Sequence, residues 1–368
     1  MSRKILLSGI KPTGRVHIGN YFGAMKQFVE MQNDFESYVF IADYHAMTTV
    51  QNKEELSQGI IDIALDYLAI GLDPKKVVLF KQSDVPQVYE LTWIFNCITT
   101  MPYLMRAHAY KDAEAKNKEI NVGLFDYPLL MASDILLQDA DVVPVGQDQK
   151  QHVEYARDTA QKFNNIFCSN LKNQVKNIRE KIDNLTEIKL NNEEEDLTNT
   201  NVFQKIDGHQ KEVFKIPEPF ILKDVETVPG TDGRKMSKSY DNVIPLFATY
   251  EEIKKAVMSI PTDSKGVDES KNPDESNIFA IHKLLLNSSE KEALALRYKN
   301  GGLGYKEAKE GLIASLEDFI KPIREKRAML AGDLETVFDI LKEGGKRAGM
   351  RAEKKMEEVR KAVGVEIY

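Results

Sequence analysis

The first half of the chain alternates short apolar runs with amphipathic stretches. Residues 4–8 (Lys-Ile-Leu-Leu-Ser), 38–42, 77–80 and 141–145 are apolar segments of strand length. Between them, residues 56–70 and 89–99 carry apolar side chains at helical spacing, as do Tyr21, Phe22, Met25, Phe28, Val29 and Met31. Strand and helix in alternation predict an α/β fold, a doubly wound parallel sheet with helices on both faces. Ligands of such sheets lie beyond the C-terminal strand ends. The turn at residues 9–20, Asp43 and Gly146 would all lie there.

Residues 164–211 break the alternation. They are polar and acidic, with Asn191-Asn192-Glu193-Glu194-Glu195-Asp196 at their centre, and read as a surface insertion (about 165–211) that is helical over 175–185 and otherwise loose. From 250 onward the pattern is helical: 250–259, 278–286, 289–298, 305–330 and 334–363. The expected organisation is a catalytic domain over 1–249 and a helical region over 250–368, with its last helix packing back on the first domain.

With 368 residues and 42% hydrophobic content, the chain can bury a sizeable core. No apolar run reaches membrane-spanning length, and no signal peptide opens the chain. Two cysteines, Cys97 and Cys168, cannot supply a disulfide framework or a cysteine-rich metal site, so a reducing, cytoplasmic setting is expected. A net charge of −7 argues against a nucleic-acid partner in sum. Lys321, Arg324, Lys326 and Arg327, and the Lys/Arg-rich stretch 342–361, form local basic faces all the same. Each of these residues reads first as part of a solvated helix face.

Two segments carry chemistry. Lys235-Met236-Ser237-Lys238-Ser239 follows the glycine-rich Pro229-Gly230-Thr231-Asp232-Gly233-Arg234 and leads into Tyr240-Asp241-Asn242, a mobile loop by composition. Two ammonium groups and two hydroxyls on such a tether suit a polyphosphate; the plain alternative is an exposed basic loop. The second is the strand at 4–8, a Gly-Ile-Lys-Pro-Thr-Gly turn at 9–14, then His17-Ile18-Gly19-Asn20 opening a helix. That arrangement aims backbone N–H groups and a helix dipole at an anion. Gly19 would let a phosphate or base approach the backbone, and His17 and Asn20 can donate hydrogen bonds. For His17 alone, a satisfied surface histidine is the competing reading. The three-glycine dinucleotide pattern and a Walker-type loop are both absent.

Paired in this order, His17-Ile18-Gly19-Asn20 and Lys235-Met236-Ser237-Lys238-Ser239 resemble the two motifs of class I aminoacyl-tRNA synthetases. The runs 127–137 (Tyr-Pro-Leu-Leu-Met-Ala-Ser-Asp-Ile-Leu-Leu) and 142–152 (Val-Val-Pro-Val-Gly-Gln-Asp-Gln-Lys-Gln-His) are similar to those of tryptophanyl-tRNA synthetases. The similarity covers about residues 5–163 and resumes from about 213. It implies a Rossmann-like catalytic domain, a helical region that recognises the tRNA anticodon, ATP with Mg²⁺, L-tryptophan and tRNA(Trp) as substrates, and a homodimer, with Trp93, Phe95 and Ile98 either interfacial or core. No structural zinc is expected; the iron–sulfur cluster of some relatives is not either, since no cysteine follows Cys168.

The resemblance also assigns residues. ATP would be held by Lys11, Pro12, Thr13, His17, Gly19, Asn20, Gly146, Gln147, Asp148, Lys235, Met236, Ser237, Lys238 and Ser239. Among these, Lys235, Lys238, His17 and Asn20 would be catalytic, and Gly146 and Asp148 would meet the ribose. Tryptophan would be held by Leu7, Gly9, His45, Tyr127, Met131, Asp134, Val143, Val145 and Gln149. Asp134, read as lying near a helix start where an N-cap is the plain alternative, would accept from the indole N–H. Tyr127 and Gln149 would take the α-ammonium. Tyrosyl relatives tend to carry glutamine at the Met131 position, so methionine favours indole over phenol. The chain departs from the family at Leu7, where phenylalanine is common, at Lys11, where bacterial members usually have glutamine, and in the insertion. Competing readings are a tyrosyl-tRNA synthetase, a nucleotidyltransferase sharing only the N-terminal turn, and a non-catalytic synthetase-like binding protein.

Overall fold

The computed structural model describes residues 3–115, 119–145, 150–168, 212–221 and 228–367. Gly146, Gln147, Asp148, Gln149 and the stretch expected to be helical over 175–185 lie outside the described residues, as does the side chain of Val145.

Five strands form one sheet in the order β3-β2-β1-β4-β5: β1 Ile5–Ile10, β2 Glu36–Ile41, β3 Val77–Lys81, β4 Val142–Val145 and β5 Glu218–Ile221. β1 runs parallel to β2 with Leu7 opposite Tyr38 and Gly9 opposite Phe40, and β2 runs parallel to β3. The first three strands are buried along most of their length, as a sheet covered on both faces requires. The order turns at β1, so the segment leaving β1 sits where such sheets bind ligands.

The chain divides into two compact units. One comprises the described residues of Met1–Asp84, Pro144–Lys150 and Phe220–Lys346; the other those of Val85–Val143, Gln151–Pro219 and Arg347–Tyr368. In the first unit the chain passes from β1 through α1 (Ile18–Asn20), a π-helical turn (Tyr21–Met25) and α2 (Lys26–Met31), then β2, α3 (Asp43–Ala46) and α4 (Lys53–Ala69). Asn52 caps α4 by accepting the Glu55 N–H at 2.9 Å, and Glu54 and Glu55 complement the dipole.

Much of the C-terminal helical region packs within this same unit. It includes α10 (Tyr250–Met258), α11 (Asn277–His282), α12 (Ser288–Asn300) and α13 (Tyr305–Ala331). Phe319 of α13 stacks on Phe22 with centroids 5.6 Å apart. Arg327 reaches α4, its Nε 2.5 Å from Asp66 and a terminal nitrogen 2.6 Å from Asp62. Thr249 and Glu252 form a capping box on α10, and Arg15 joins Glu252 at 2.7 Å.

In the second unit, α5 (Gln87–Ile98) is followed by α6 (Met101–Leu104), α7 (His108–Ala115) and α8 (Val122–Leu137), with α9 (Lys150–Phe163) after β4. α5 packs against α8, with Thr92 Oγ1 donating to Ser133 Oγ at 2.9 Å. α8 corrects the expectation for Asp134: this residue lies in the last turn of a helix that begins at Val122 and contains Pro128. It is not an N-cap. Phe95 is wholly buried, Ile98 is partly buried, and Trp93 is 71% exposed. The last helix, α14, spans Leu334–Val363. Among the described residues, no helix is long and apolar enough to cross a membrane.

Candidate active site

The two motifs meet through backbone pairing. The Ile18 N–H donates to the Ile244 carbonyl at 3.0 Å and the Leu246 N–H to the Val16 carbonyl at 2.9 Å, an antiparallel bridge centred on His17 and Pro245. The segment just after the lysine loop is thereby stitched to the segment just before α1. His17, Gly19, Asn20, Val228, Lys235, Met236, Ser237, Lys238 and Ser239 line one cavity of about 390 Å³, within the range of roughly 300–1,000 Å³ usual for small-molecule sites.

His17 and Asn20 cap each other. The His17 N–H donates to Asn20 Oδ1 at 3.1 Å, and the Asn20 N–H donates to His17 Nδ1 at 3.3 Å. With Nδ1 accepting, a neutral imidazole carries its proton on Nε2, which makes that nitrogen the donor. The ring is neutral at physiological pH, since burial and then the Lys238 charge push its pKa down to about 4. Gly19 owes its identity to packing: an added Cβ would lie 2.9 Å from His17 Nδ1 and 3.2 Å from Met236 Cβ. The glycine thus serves the closeness of the two motifs.

The lysine segment is anchored at several points along its backbone. Met236 is buried in the core of this unit, the Met236 N–H donates to the Val228 carbonyl at 3.0 Å, and Pro229 bridges Lys235. Ser237 caps a short 3-10 turn, Lys238–Tyr240. Lys238 Nζ donates to the Thr13 carbonyl, so the ammonium lies on the turn that follows β1. Burial lowers the pKa of both Lys238 and Lys11. Pro12 is buried and Thr13 half-buried in that turn.

The residues expected to hold tryptophan fall in both units. Leu7 and Gly9 are on one face of β1, Leu7 buried and Gly9 exposed. His45 is buried in α3, its N–H donating to Gln82 Oε1 at 3.2 Å. In the other unit, Tyr127, Met131 and Asp134 stand at i, i+4 and i+7 on α8 and so share one helix face. Tyr127 is 8% and Asp134 6% exposed. Burial pushes the Tyr127 phenol up to about 12, so it stays protonated. Val143 is buried in β4. The sequence reading gave no role of their own to Asn242, Asp232 or the Arg15–Glu252 pair; the signal for Asn242 was a side-chain amide close after a glycine turn.

The chain matches the model of the class I tRNA synthetases (W and Y) over residues 2–321. It is 44% identical to a tryptophan–tRNA ligase of Fusobacterium nucleatum, covering 98% of this chain and 97% of the relative. It is 41% identical to that of Rhodopirellula baltica, covering 98% and 99%. Among solved structures it is similar to tryptophanyl-tRNA synthetase from Campylobacter jejuni complexed with ADP and tryptophan, with a TM-score of 0.82 and 39% identity over 98% of this chain and 99% of that one.

Proposed function

The chain belongs to the class I tRNA synthetases for tryptophan and tyrosine, and from that premise we infer how its residues carry out the reaction. It is an ATP-dependent tryptophan–tRNA ligase. ATP would enter with Mg²⁺, which would offset phosphate charge, and the tryptophan carboxylate attacks the α-phosphorus of ATP. A carboxylate–phosphorus bond forms, the bond to the bridging oxygen breaks, and pyrophosphate leaves. A ribose hydroxyl of the tRNA terminal adenosine then attacks the adenylate carbonyl, releasing AMP.

The attacking carboxylate is already ionised at neutral pH, so the first step needs no general base. Positioning and neutralisation of phosphate charge carry it. In our reading Lys235, Lys238, Ser237 and Ser239 hold the β- and γ-phosphates, while His17 Nε2–H and Asn20 Nδ2 donate from the facing motif. Lys11, Pro12 and Thr13 lie on the same side. Lys238 exchanges the Thr13 carbonyl for a phosphate oxygen. The observation that carries this assignment is the shared cavity of His17 and Lys238. We place the ribose on Gly146, Gln147 and Asp148, and the α-ammonium on Tyr127 and Gln149. The indole N–H goes to Asp134, with Met131, Leu7, Gly9, His45, Val143 and Val145 around the ring.

Residues 250–368 meet the tRNA in this reading, and the catalytic residues fall within 1–249. A homodimer belongs to this reading, with the exposed Trp93 available to an interface and Phe95 in the core, and the protein acts in the cytoplasm. ATP–pyrophosphate exchange with tryptophan and tyrosine in parallel tests the substrate. Exchange with tryptophan alone is expected; exchange with tyrosine alone overturns the indole assignment.

A further inference from the structure

Asn242 is 1% exposed, and its carboxamide ties Asp232 to two points of the lysine segment. Its Nδ2 donates to Asp232 Oδ1 at 2.6 Å and to the Lys235 carbonyl at 3.2 Å. Its Oδ1 accepts the Ser237 N–H at 2.8 Å. The Thr231 N–H donates to its backbone carbonyl at 2.9 Å. Only an amide meets these demands, since they need a double donor and an acceptor on one short side chain. The carboxamide fits because residue 230 is glycine: a Cβ there would lie 2.2 Å from Nδ2. The donation from Asn242 also leads the causes that hold the Asp232 carboxyl below the usual carboxylate range.

We propose that Asn242 is a positioning residue for adenylate formation: its carboxamide fixes the backbone of residues 235–237 and thereby aims the Lys235 and Lys238 side chains at the nucleotide phosphates. It touches no substrate and acts through the lysines. The inference rests on reading the cavity as the triphosphate site, and deepens that reading.

The test uses the full-length protein in tryptophan-dependent ATP–pyrophosphate exchange with ATP varied, and measures tryptophan affinity separately by calorimetry. Asn242→Ala is expected to lower kcat/KM for ATP by about tenfold or more, with tryptophan affinity within about twofold. Gly230→Ala, which takes the space of the carboxamide but leaves Asn242 in the chain, should show the same split. It carries the test should Asn242→Ala fail to fold. In a Lys235→Ala, Lys238→Ala background, Asn242→Ala should cost less than about twofold, because the groups it aims are gone. A loss as large in that background as in the native one, or native-like exchange by both single variants, overturns the inference. A wild-type protein that exchanges pyrophosphate with no amino acid overturns the underlying reading instead, and the inference with it.

Discussion

The Ile18 N–H lies 3.0 Å from the Ile244 carbonyl, and this contact joins two motifs far apart in sequence. Ile18 follows His17 directly, and Ile244 lies a few residues beyond Lys238. Both side chains are fully buried, so the pairing rests on the core and carries the two polar motifs to one cavity.

Removing the Lys238 ammonium should depress adenylate formation far more than tryptophan binding. Lys238→Ala is expected to lower the exchange rate by about 10²-fold or more, the scale of losing a preorganised charge at a transition state. Tryptophan affinity should stay within about twofold. Equal losses in both would show that the lysine does not act on the phosphates.

His17 should titrate well below an ordinary histidine. Its pKa of about 4 should be visible as a low midpoint in imidazole NMR, moving up when ATP brings negative charge and moving up in Lys238→Ala. The linkage sign follows. A histidine depressed from 6.5 to about 4 contributes stability that is present above pH 6.5 and lost as pH falls toward 4, at most about 3 kcal/mol. Asp66, raised by burial to about 6, contributes in the opposite sense: its share is present below about pH 4 and lost as pH rises through 6. The check is therefore the difference between wild type and His17→Gln in denaturant unfolding from pH 4.5 to 7, where the variant should lose less stability on acidification. Identical slopes would refute the assignment.

Asp134→Ala should weaken tryptophan without touching ATP. A pocket acceptor lost to its indole donor costs roughly 1–3 kcal/mol, so the KM for tryptophan should rise about tenfold or more, with the KM for ATP unchanged. A matching rise in both would place Asp134 outside the amino-acid contacts.

Arg327→Ala should destabilise the unit that holds the cavity by about 2–3 kcal/mol, because it leaves the 4%-exposed Asp66 side chain without its partner. Adding Asp66→Asn should return part of the loss in denaturant unfolding. No loss in the single variant would show that the pair contributes nothing net.

The first four strands were legible because strands covered on both faces read as continuous apolar runs. The long helices α13 and α14 were legible from their periodicity. α8 was misread at Asp134 because its middle and end are buried nearly all round, which erases the polar stripe that marks a surface helix. β5 was missed because it has four residues, one of them Pro219. Within the site, His17, Asn20 and the two lysines stood out through their chemistry. What held them together did not: Asn242 and the pairing of Val16–Ile18 with Ile244–Leu246 depend on tertiary contacts that no local pattern encodes.

The central claim is that His17 and Lys238 serve one triphosphate, and a double-mutant cycle in the exchange assay tests it most directly. His17→Ala and Lys238→Ala should each lower kcat/KM for ATP, and the double variant should lose less than the product of the single losses. Losses that multiply independently, or a His17→Ala protein with native kcat/KM for ATP, would contradict it.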